Sequence, residues 1–303
     1  MTAATTPTNG VPRAAVRMPS LRSRLRRALS RNLIGWIGVS VLVALALSAL
    51  FAPWLTPHDP VQQSVIDRFM PPSWVEGGDP AHLLGTDHLG RDVLTRVLFA
   101  GRVSLLIGMV TAFSAAFIGI LLGITAGFRE GWFGNAIMRL VDIQTAFPFL
   151  VIAIAVVAVV GPSVSTIIIT LTFWAWVPFA RVAHASVLRI KQQEFIDAAR
   201  LSGSSTFKIL LNHVFPNALP PLVVIWTFAI AQVIVAESAL SFLGLGIQPP
   251  TPTWGSMVSQ GRQHLDVAWW TAVMPAIAIV GGVLSVNLVG DWLRDRFDPQ
   301  MQL

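Results

Sequence analysis

The chain has 303 residues, of which 54% are hydrophobic and 12% are charged. A soluble domain carries about a quarter charged residues, so this composition excludes an ordinary globular protein and indicates that lipid surrounds much of the surface. The absence of cysteine excludes disulfide bonds, thiolate metal sites and cysteine nucleophiles.

Basic residues are concentrated at the N-terminus, where residues 1–32 contain seven arginines and no acidic residue. Those arginines are Arg13, Arg17, Arg22, Arg24, Arg26, Arg27 and Arg31. An apolar segment follows, so the positive-inside rule explains the cluster better than nucleic-acid binding does and predicts a cytoplasmic tail. The apolar segment Leu33–Leu55 exceeds the ~7–15 residues of a signal-peptide core. We therefore predict a retained first span rather than a cleaved signal, preceded by a disordered segment over residues 1–20.

Charge-poor segments predict an all-α, polytopic membrane protein with about six transmembrane helices, because a bilayer core requires about 20 apolar residues per helix. One apolar segment, 143–180, is too long for a single span and is divided by the turn signal Gly161-Pro162-Ser163. We interpret Pro148, Pro178 and Pro275 as kinks within spans. The predicted spans are 32–58, 103–128, 144–160, 165–183, 209–236 and 267–290.

The placement of basic residues between spans predicts their orientation. Segments 129–139, 184–217 and 291–303 are expected in the cytoplasm, whereas 56–102, 161–163 and 244–266 are expected outside. The corresponding domain division is a basic tail over 1–32, a first helix and external loop over 33–102, a membrane core over 103–293, and a tail over 294–303.

Ionisable residues near the spans suggest few functional roles. Glu237, at the outer end of the fifth span, is a candidate for a transport pathway, because an intramembrane carboxylate is costly. We favour the alternative that it lies at the water interface, since its position is not deep. Arg139 and Asp142 are three residues apart and are expected to pair on one helix face. The six histidines are scattered along the chain, which argues against a metal site.

Segment 194–217 is predicted to be a cytoplasmic helical hairpin. Gly203 interrupts it, Ser204 or Ser205 caps the second helix, and Pro216 begins the fifth span. An apolar stripe is formed at i, i+3 and i+4 by Phe195, Ala198 and Ala199. Such a hairpin can insert into a groove of a partner protein or rest on lipid headgroups, and the spacing leaves both possibilities open.

This segment resembles the EAA loop of ABC-importer permeases. It contains Asp197-Ala198-Ala199, then Gly203, then His213-Val214-Phe215-Pro216. Asp197 replaces the glutamate of the family pattern, and His213 and Phe215 replace its isoleucine and leucine. The resemblance implies that the loop is a coupling helix seated in a cleft of a separate ATPase. It assigns coupling roles to Asp197, Ala198, Ala199, Gly203 and Pro216.

Further segments resemble the permeases of dipeptide, oligopeptide and nickel transporters. They begin at Arg31, Gly85, Leu240 and Gly290, and together with the loop they extend the similarity over residues 24–299. The nearest resemblance is to the second, C-type permease of the pair. It implies the type I ABC-importer fold, a homologous permease partner (with which Glu237 could pair), two ATP-binding subunits, an extracytoplasmic substrate-binding protein and location in the cytoplasmic membrane.

Enzyme signatures are missing from the sequence. A G-x-x-x-x-G-K-[ST] phosphate loop is absent, and so are H-E-x-x-H and G-x-S-x-G. ATP hydrolysis is therefore expected on separate subunits, and we expect no cofactor, metal or nucleic acid on this chain. The resemblance favours di- or oligopeptides as substrate, with nickel or glutathione as alternatives. An ATP-independent carrier is a further alternative that inverted repeats would favour, but we find no internal repeat.

Overall fold

The computed structural model describes residues 21–129 and 131–297, with side chains described from residue 33 onward. Within these ranges the regular structure is helical, apart from one isolated bridge between Thr86 and Asp92. The all-α prediction is confirmed. The predicted disorder of residues 1–20 and the last residues of the predicted C-terminal tail, 298–303, lie outside the described residues.

The helices follow one another along the chain with short connections except in two places, residues 56–92 and 243–269. The α-helices are α1 (Leu21–Leu50), α2 (Ala52–Leu55), α3 (Val93–Phe128), α4 (Trp132–Ala146), α5 (Phe149–Val160), α6 (Val164–Ile190), α7 (Glu194–Leu201), α8 (Thr206–Ile209), α9 (Phe215–Phe242), α10 (Trp254–Gly261) and α11 (Trp270–Phe297). A π-helical turn covers Leu210–Val214 and a 3-10 turn covers Arg262–His264.

Five helical segments are long and apolar enough to cross a membrane, and α4 and α5 together would provide a sixth span. The five are Leu33–Leu50, Val93–Phe128, Val164–Ile190, Thr206–Phe242 and Trp270–Phe297. The prediction of about six transmembrane helices therefore stands for the described part of the chain.

The predicted single helix over 144–160 is wrong. Helix α4 begins already at Trp132, and its axis turns by 86° into α5. The turn lies at Phe147 and Pro148, where Phe147 has the extended backbone (ψ 135°) that a following proline imposes. Pro148 therefore ends a helix rather than kinking one, whereas Pro178 and Pro275 lie inside continuous helices, as predicted.

Several helices, among them α1, α3 and α11, extend beyond the apolar segments that predicted them. Helix α1 begins at Leu21, so part of the predicted basic tail is helical, and α11 continues to Phe297. Helix α3 begins at Val93, where the Asp92 side chain accepts a hydrogen bond from Thr95 N. Hydropathy locates the portion of a helix that suits lipid, but backbone hydrogen bonding continues through charged residues, so these boundaries were predicted too short.

The centre of the bundle is the close packing of α3 on α6. A Cβ atom on Gly119 would lie 2.3 Å from Trp176 O, and one on Gly123 would lie 2.4 Å from Ala180 O. Small residues at such positions let two helix backbones approach, which is the usual way membrane helices gain packing energy. Helix α9 packs on α3, α6 and α11, and α1 lies against α11.

Two long connections, 56–92 and 243–269, fold together at one end of the bundle, and we call them the loop cap. Arg91 Nη2 donates a hydrogen bond to Gln260 Oε1 at 3.3 Å, which joins the two connections. Trp270 Nε1, at the start of α11, donates to Thr86 O at 2.9 Å, and Trp254 Nε1 donates to Val97 O in α3 at 2.9 Å. Helix α10, inside the connection predicted as a loop, is held by a capping box at Thr253 and Ser256. Helix α7 lies at the opposite end, where Lys191 Nζ donates to Gly127 O.

Candidate functional site

The predicted glycine break in segment 194–217 is confirmed by the backbone. Gly203 has φ +77°, and two hydrogen bonds close a Schellman motif at the end of α7: Ser204 N to Ala199 O (3.1 Å) and Gly203 N to Arg200 O (3.0 Å). The left-handed conformation favours glycine, and an added Cβ would meet nothing within 4 Å. The turn is therefore fixed by backbone conformation rather than by side-chain packing.

The second helix of the segment begins at the predicted cap but is not a separate element. The Ser205 side chain accepts from Lys208 N, and α8, the π-helical turn and α9 then form one continuous span, Thr206–Phe242. The prediction that Pro216 begins the fifth span is therefore wrong. Pro216 lies in the first turn of α9, directly after the π-helical turn. It has no N–H to donate to the preceding turn, which fits the wider helical turn there.

The predicted apolar stripe of α7 is divided between two faces. Ala199 is 9% exposed and packs inward with the fully buried Ile196, whereas Phe195 and Ala198 face outward. Leu201 and Phe207, which the stripe did not include, are 90% and 70% exposed. The segment thus presents an exposed apolar tip while Ile196 and Ala199 anchor it to the rest of the chain.

Asp197, the acidic residue of the Asp197-Ala198-Ala199 triplet, lies on the exposed side of α7. Asp197 Oδ1 is 3.3 Å from Arg200 Nη1, one helical turn away, and both side chains are about half exposed or more. An ion pair of this kind contributes little to stability. Asp197 is therefore available to a binding partner.

Two neighbouring cavities lie beside α6 and α9. One, of about 480 Å³, is also bounded by α5 and α11, and the other, of about 530 Å³, by α4 and the turn at Phe147. They share the lining residues Trp174, Phe228 and Gln232. Their walls are largely apolar, with Gln144 and Asn287 as further amide side chains. The position of the cavities follows from the 86° bend between α4 and α5, which turns α5 away from the direction of α4.

Polar side chains at the second cavity are held by neighbouring helices. Gln144 Oε1 accepts from Trp176 Nε1 at 2.9 Å, and Gln144 Nε2 donates to Phe173 O. Arg181 Nη2 lies 3.2 Å from Asp142 Oδ1. The predicted pairing of Arg139 with Asp142 is therefore wrong. The partner comes from α6 because α4 packs beside it.

Glu237 lies inside the chain, so its predicted position at a water interface is wrong. Its side chain is 1% exposed, and Ser241 Oγ donates to Oε1 at 2.8 Å. Helix α10 covers this part of α9, where a Cβ on Gly255 would lie 2.6 Å from Ser238 Cα. A pathway role for Glu237 stays a prediction, and it would require α10 to move.

The histidines are scattered along the sequence, but four of them lie close together in two pairs in the loop cap. The ring centroids of His58 and His82 lie 4.8 Å apart, and those of His88 and His264 lie 5.5 Å apart. Burial lowers the pKa of His88 below its ordinary value of 6.5, and nearby positive charge, first from Arg91, lowers this pKa further. The Asp87 carboxylate opposes these effects.

The cavity residues Gln144, Gln232 and Asn287 were not singled out by the sequence analysis, although one signal for them exists. Each is a polar amide inside or beside a predicted apolar span. Polar side chains within membrane helices commonly face the bundle interior or a water-filled cavity. Charge alone, the criterion that selected Glu237, does not detect them.

The arrangement of helices defines a class of protein, the transmembrane permeases of the type I ABC-importer fold. Two crystal forms of the inward-facing MetNI methionine ABC transporter share this fold. One superimposes with a TM-score of 0.52 at 22% identity, covering 64% of this chain and 92% of that chain. The other has a TM-score of 0.54 at 19% identity, covering 66% and 95%.

The chain belongs to the family described as binding-protein-dependent transport system inner membrane component, whose profile matches residues 119–303. The N-terminal TM domain of oligopeptide transport permease C matches residues 20–72. The chain is 41% identical to the di/tripeptide transport system permease protein DppC of Pseudomonas aeruginosa, over 88% of each chain. It is 40% identical to the dipeptide transport system permease protein DppC of Escherichia coli K12, over 90% of this chain and 91% of that one.

Proposed function

We propose that this chain is a permease subunit of an ATP-driven importer of di- or oligopeptides. The substrate class is supported by relatives named as dipeptide or di/tripeptide permeases, which match about nine-tenths of the chain. The coupling to ATP is supported by one structural observation, the anchored α7 segment with its exposed apolar tip. In this proposal the N- and C-termini and α7 lie in the cytoplasm, and the loop cap lies outside.

The α7 segment has the physical properties of a coupling element. It is exposed at Asp197 and Leu201, where a cleft in an ATPase subunit could bind it, and it is anchored at Ile196 and Ile209, which are 0% and 2% exposed. Force applied at the tip therefore reaches α6 and α9 through packed side chains, since a close-packed interior transmits displacement rather than absorbing it. The sequence lacks a phosphate loop, so the ATPase activity belongs to separate subunits.

The two cavities beside α6 and α9 are the proposed contribution of this chain to the pathway. Gln144, Gln232 and Asn287 offer uncharged donors and acceptors that suit the amide groups of a peptide backbone, without selecting particular side chains. A homologous permease completes the pathway, and an external binding protein delivers the peptide to the loop cap. ATP binding brings two ATPases together, and the spans move as rigid bodies between inward-open and outward-open states.

The substitution Gly203→Val tests the coupling role. A β-branched residue resists φ +77°, while the space around the position excludes a steric clash, so the turn should distort and the bundle should remain folded. The matched control is Gly161→Val, in the turn between α5 and α6, where φ is +91° and nothing lies within 4 Å. We expect uptake of a radiolabelled dipeptide to fall by at least about 100-fold in Gly203→Val only, which corresponds to roughly 2.7 kcal/mol.

Cells that express these variants also test the substrate class and the dependence of uptake on ATP. Both variants should insert and accumulate equally, as measured by immunoblotting of the membrane fraction. Normal uptake by Gly203→Val would refute the coupling role. Uptake of labelled nickel or glutathione in preference to dipeptide would refute the substrate class. Uptake that persists after ATP depletion would favour an ATP-independent carrier.

A further inference from the structure

Three potential metal ligands meet in the loop cap although they are far apart in sequence. One ring nitrogen of His58, one ring nitrogen of His82 and one carboxylate oxygen of Asp92 lie within 4.8 Å of one another. Among them, His82 Nδ1 lies 3.0 Å from Asp92 Oδ1. Two ligands of a tetrahedral zinc ion are about 3.3 Å apart when the metal–ligand bonds are about 2.0–2.1 Å. The His82–Asp92 contact is already close to that distance.

His58 is oriented by a contact with the protein backbone. His58 Nε2 lies 2.9 Å from the Ala81 carbonyl oxygen, to which only a protonated nitrogen can donate. In the neutral ring the other nitrogen then carries the lone pair. A backbone carbonyl that fixes the tautomer in this way is a frequent companion of metal-ligating histidines.

The Asp92 carboxylate is held in place by two hydrogen bonds. Asp92 Oδ2 accepts from both Thr95 N and Thr95 Oγ1 at 2.7 Å, so the side chain is held as the N-cap of α3. This leaves Oδ1 directed at His82. The Asp92 side chain is 3% exposed, whereas that of His82 is 14% exposed, so the group is open to solvent only on the histidine side. A metal ion could enter from that side and retain a water molecule as a further ligand.

From this geometry we propose that His58, His82 and Asp92 bind a divalent transition-metal ion, and that the ion is zinc. Imidazole donors disfavour Ca²⁺ and Mg²⁺, which prefer oxygen ligands, and the chain has no thiolate for softer metals. Three protein ligands and one water form a common zinc coordination set. The single carboxylate leaves a net charge of +1 with Zn²⁺, which the exposed side of the site can solvate.

The proposed ion would be structural, because it would cross-link three positions of one long connection, 56–92. His58 lies near the start of this connection, just after α2, His82 lies farther along it, and Asp92 ends it as the N-cap of α3. A bound metal ion would therefore fix the first cap connection to the start of α3. A ligand that binds only the folded state raises the thermal midpoint with its concentration.

The test uses the full chain in detergent, purified through an affinity tag that contains no histidine. Bound metal is removed from the purified protein with EDTA, and the protein is then dialysed against Zn²⁺. Elemental analysis should find one zinc ion per chain, and Zn²⁺ should raise the Tm. The double variant His58→Gln/His82→Gln should bind zinc at least about 100-fold more weakly, because even outer-shell changes at zinc sites cost about 10–100-fold. Its Tm should no longer respond to Zn²⁺.

The matched control is His88→Gln/His264→Gln, which removes the other stacked histidine pair of the loop cap and should bind zinc like the parent chain. A second variant, Asp92→Asn, keeps the helix cap because asparagine also caps helices, and it should weaken zinc binding while the fold is retained, as judged by circular dichroism. The proposal is overturned if the parent chain shows no saturable zinc binding, if His58→Gln/His82→Gln binds zinc normally, or if the control loses it. Preferential retention of Ni²⁺ over Zn²⁺ would overturn the assignment of zinc.

Discussion

Asp87 is the acidic centre of a buried charge cluster in the loop cap. Its Oδ2 lies 2.7 Å from Arg91 Nε and 3.6 Å from Arg96 Nε, while its Oδ1 accepts from Leu89 N and Arg91 N. Asp87, Arg91 and Arg96 are at most 6% exposed. Gln260 Oε1 accepts from Arg91 Nη2 at 3.3 Å and so connects the cluster to the second cap connection.

Asp87→Asn is expected to destabilise the folded chain by about 3–5 kcal/mol, because it leaves two buried guanidinium groups without their carboxylate. Glu76→Gln, at an exposed acidic residue of the same connection, is the control and should change stability by less than about 0.5 kcal/mol. Thermal unfolding of the purified chain in detergent measures both. Equal Tm values for the two variants would contradict a stabilising role for the cluster.

His88, beside this cluster, predicts a loss of stability in acid. The unfolded chain takes up a proton on this imidazole near pH 6.5, whereas the folded chain does so only at lower pH, because burial lowers the pKa of His88. As pH falls through 6.5 the unfolded state therefore binds more protons, and the folded state loses stability until pH passes below the folded pKa. His88→Gln should reduce the fall in Tm between about pH 7.5 and pH 5. Identical pH profiles would contradict this.

At the scale of single residues, local rules identified some positions and failed at others. Gly203 and Ser205 were found from sequence because a left-handed turn and a helix cap are decided by a few neighbouring residues. Glu237 was misplaced because its burial depends on α10, which contacts it only in the folded chain. Asp142 was paired with the wrong arginine because its partner, Arg181, comes from α6, which lies beside α4 only in the folded chain.

At the scale of elements, the packing of α3 on α6 depends on glycines whose missing side chains make room for a backbone. Gly123→Ala places a Cβ 2.4 Å from Ala180 O, which is backbone and cannot rotate away. We expect a loss of about 1–3 kcal/mol from overpacking. The same change at Gly281 in α11 meets only Leu45 Cδ1 at 3.9 Å, and it should be neutral or stabilising by up to about 1 kcal/mol.

Thermal unfolding in detergent compares these two alanine variants directly. Both gain the same intrinsic helix propensity, so the difference between their Tm values reports the helix contact alone. If Gly123→Ala were as stable as Gly281→Ala, the close approach of α3 to α6 would be contradicted.

The positions of helices were predicted well where local composition determines them. They were predicted poorly where a tertiary contact determines them. The number of spans followed from charge-poor segments, since a bilayer requires a minimum apolar length. The 86° bend at Pro148 was missed, because proline is compatible with a kinked span as well as with a break. Helix α10 was missed because it is short and because it packs against α9 and α11 only in the folded chain.

At the scale of the whole molecule, the proposed orientation can be tested with a chain that has no cysteine. Gln63 in the loop cap and Gln192 beside α7 are both exposed. Gln63→Cys should react with a membrane-impermeant maleimide in intact spheroplasts, and Gln192→Cys should react only after permeabilisation. The unsubstituted chain is the blank, and the reverse labelling pattern would contradict an external loop cap.

The amino-acid sequence alone is enough to predict that lipid surrounds much of the protein, that the protein is helical, and which family it resembles. Long apolar segments require lipid, and the turn at Gly203 requires glycine, whatever the remaining chain does. The contacts between side chains that are distant in sequence are seen only in the folded chain. The tertiary structure placed His58 beside His82 and Asp92, Arg181 beside Asp142, and α10 over Glu237. Such contacts depend on how complete helices pack, and the order of residues along the chain does not encode that packing locally.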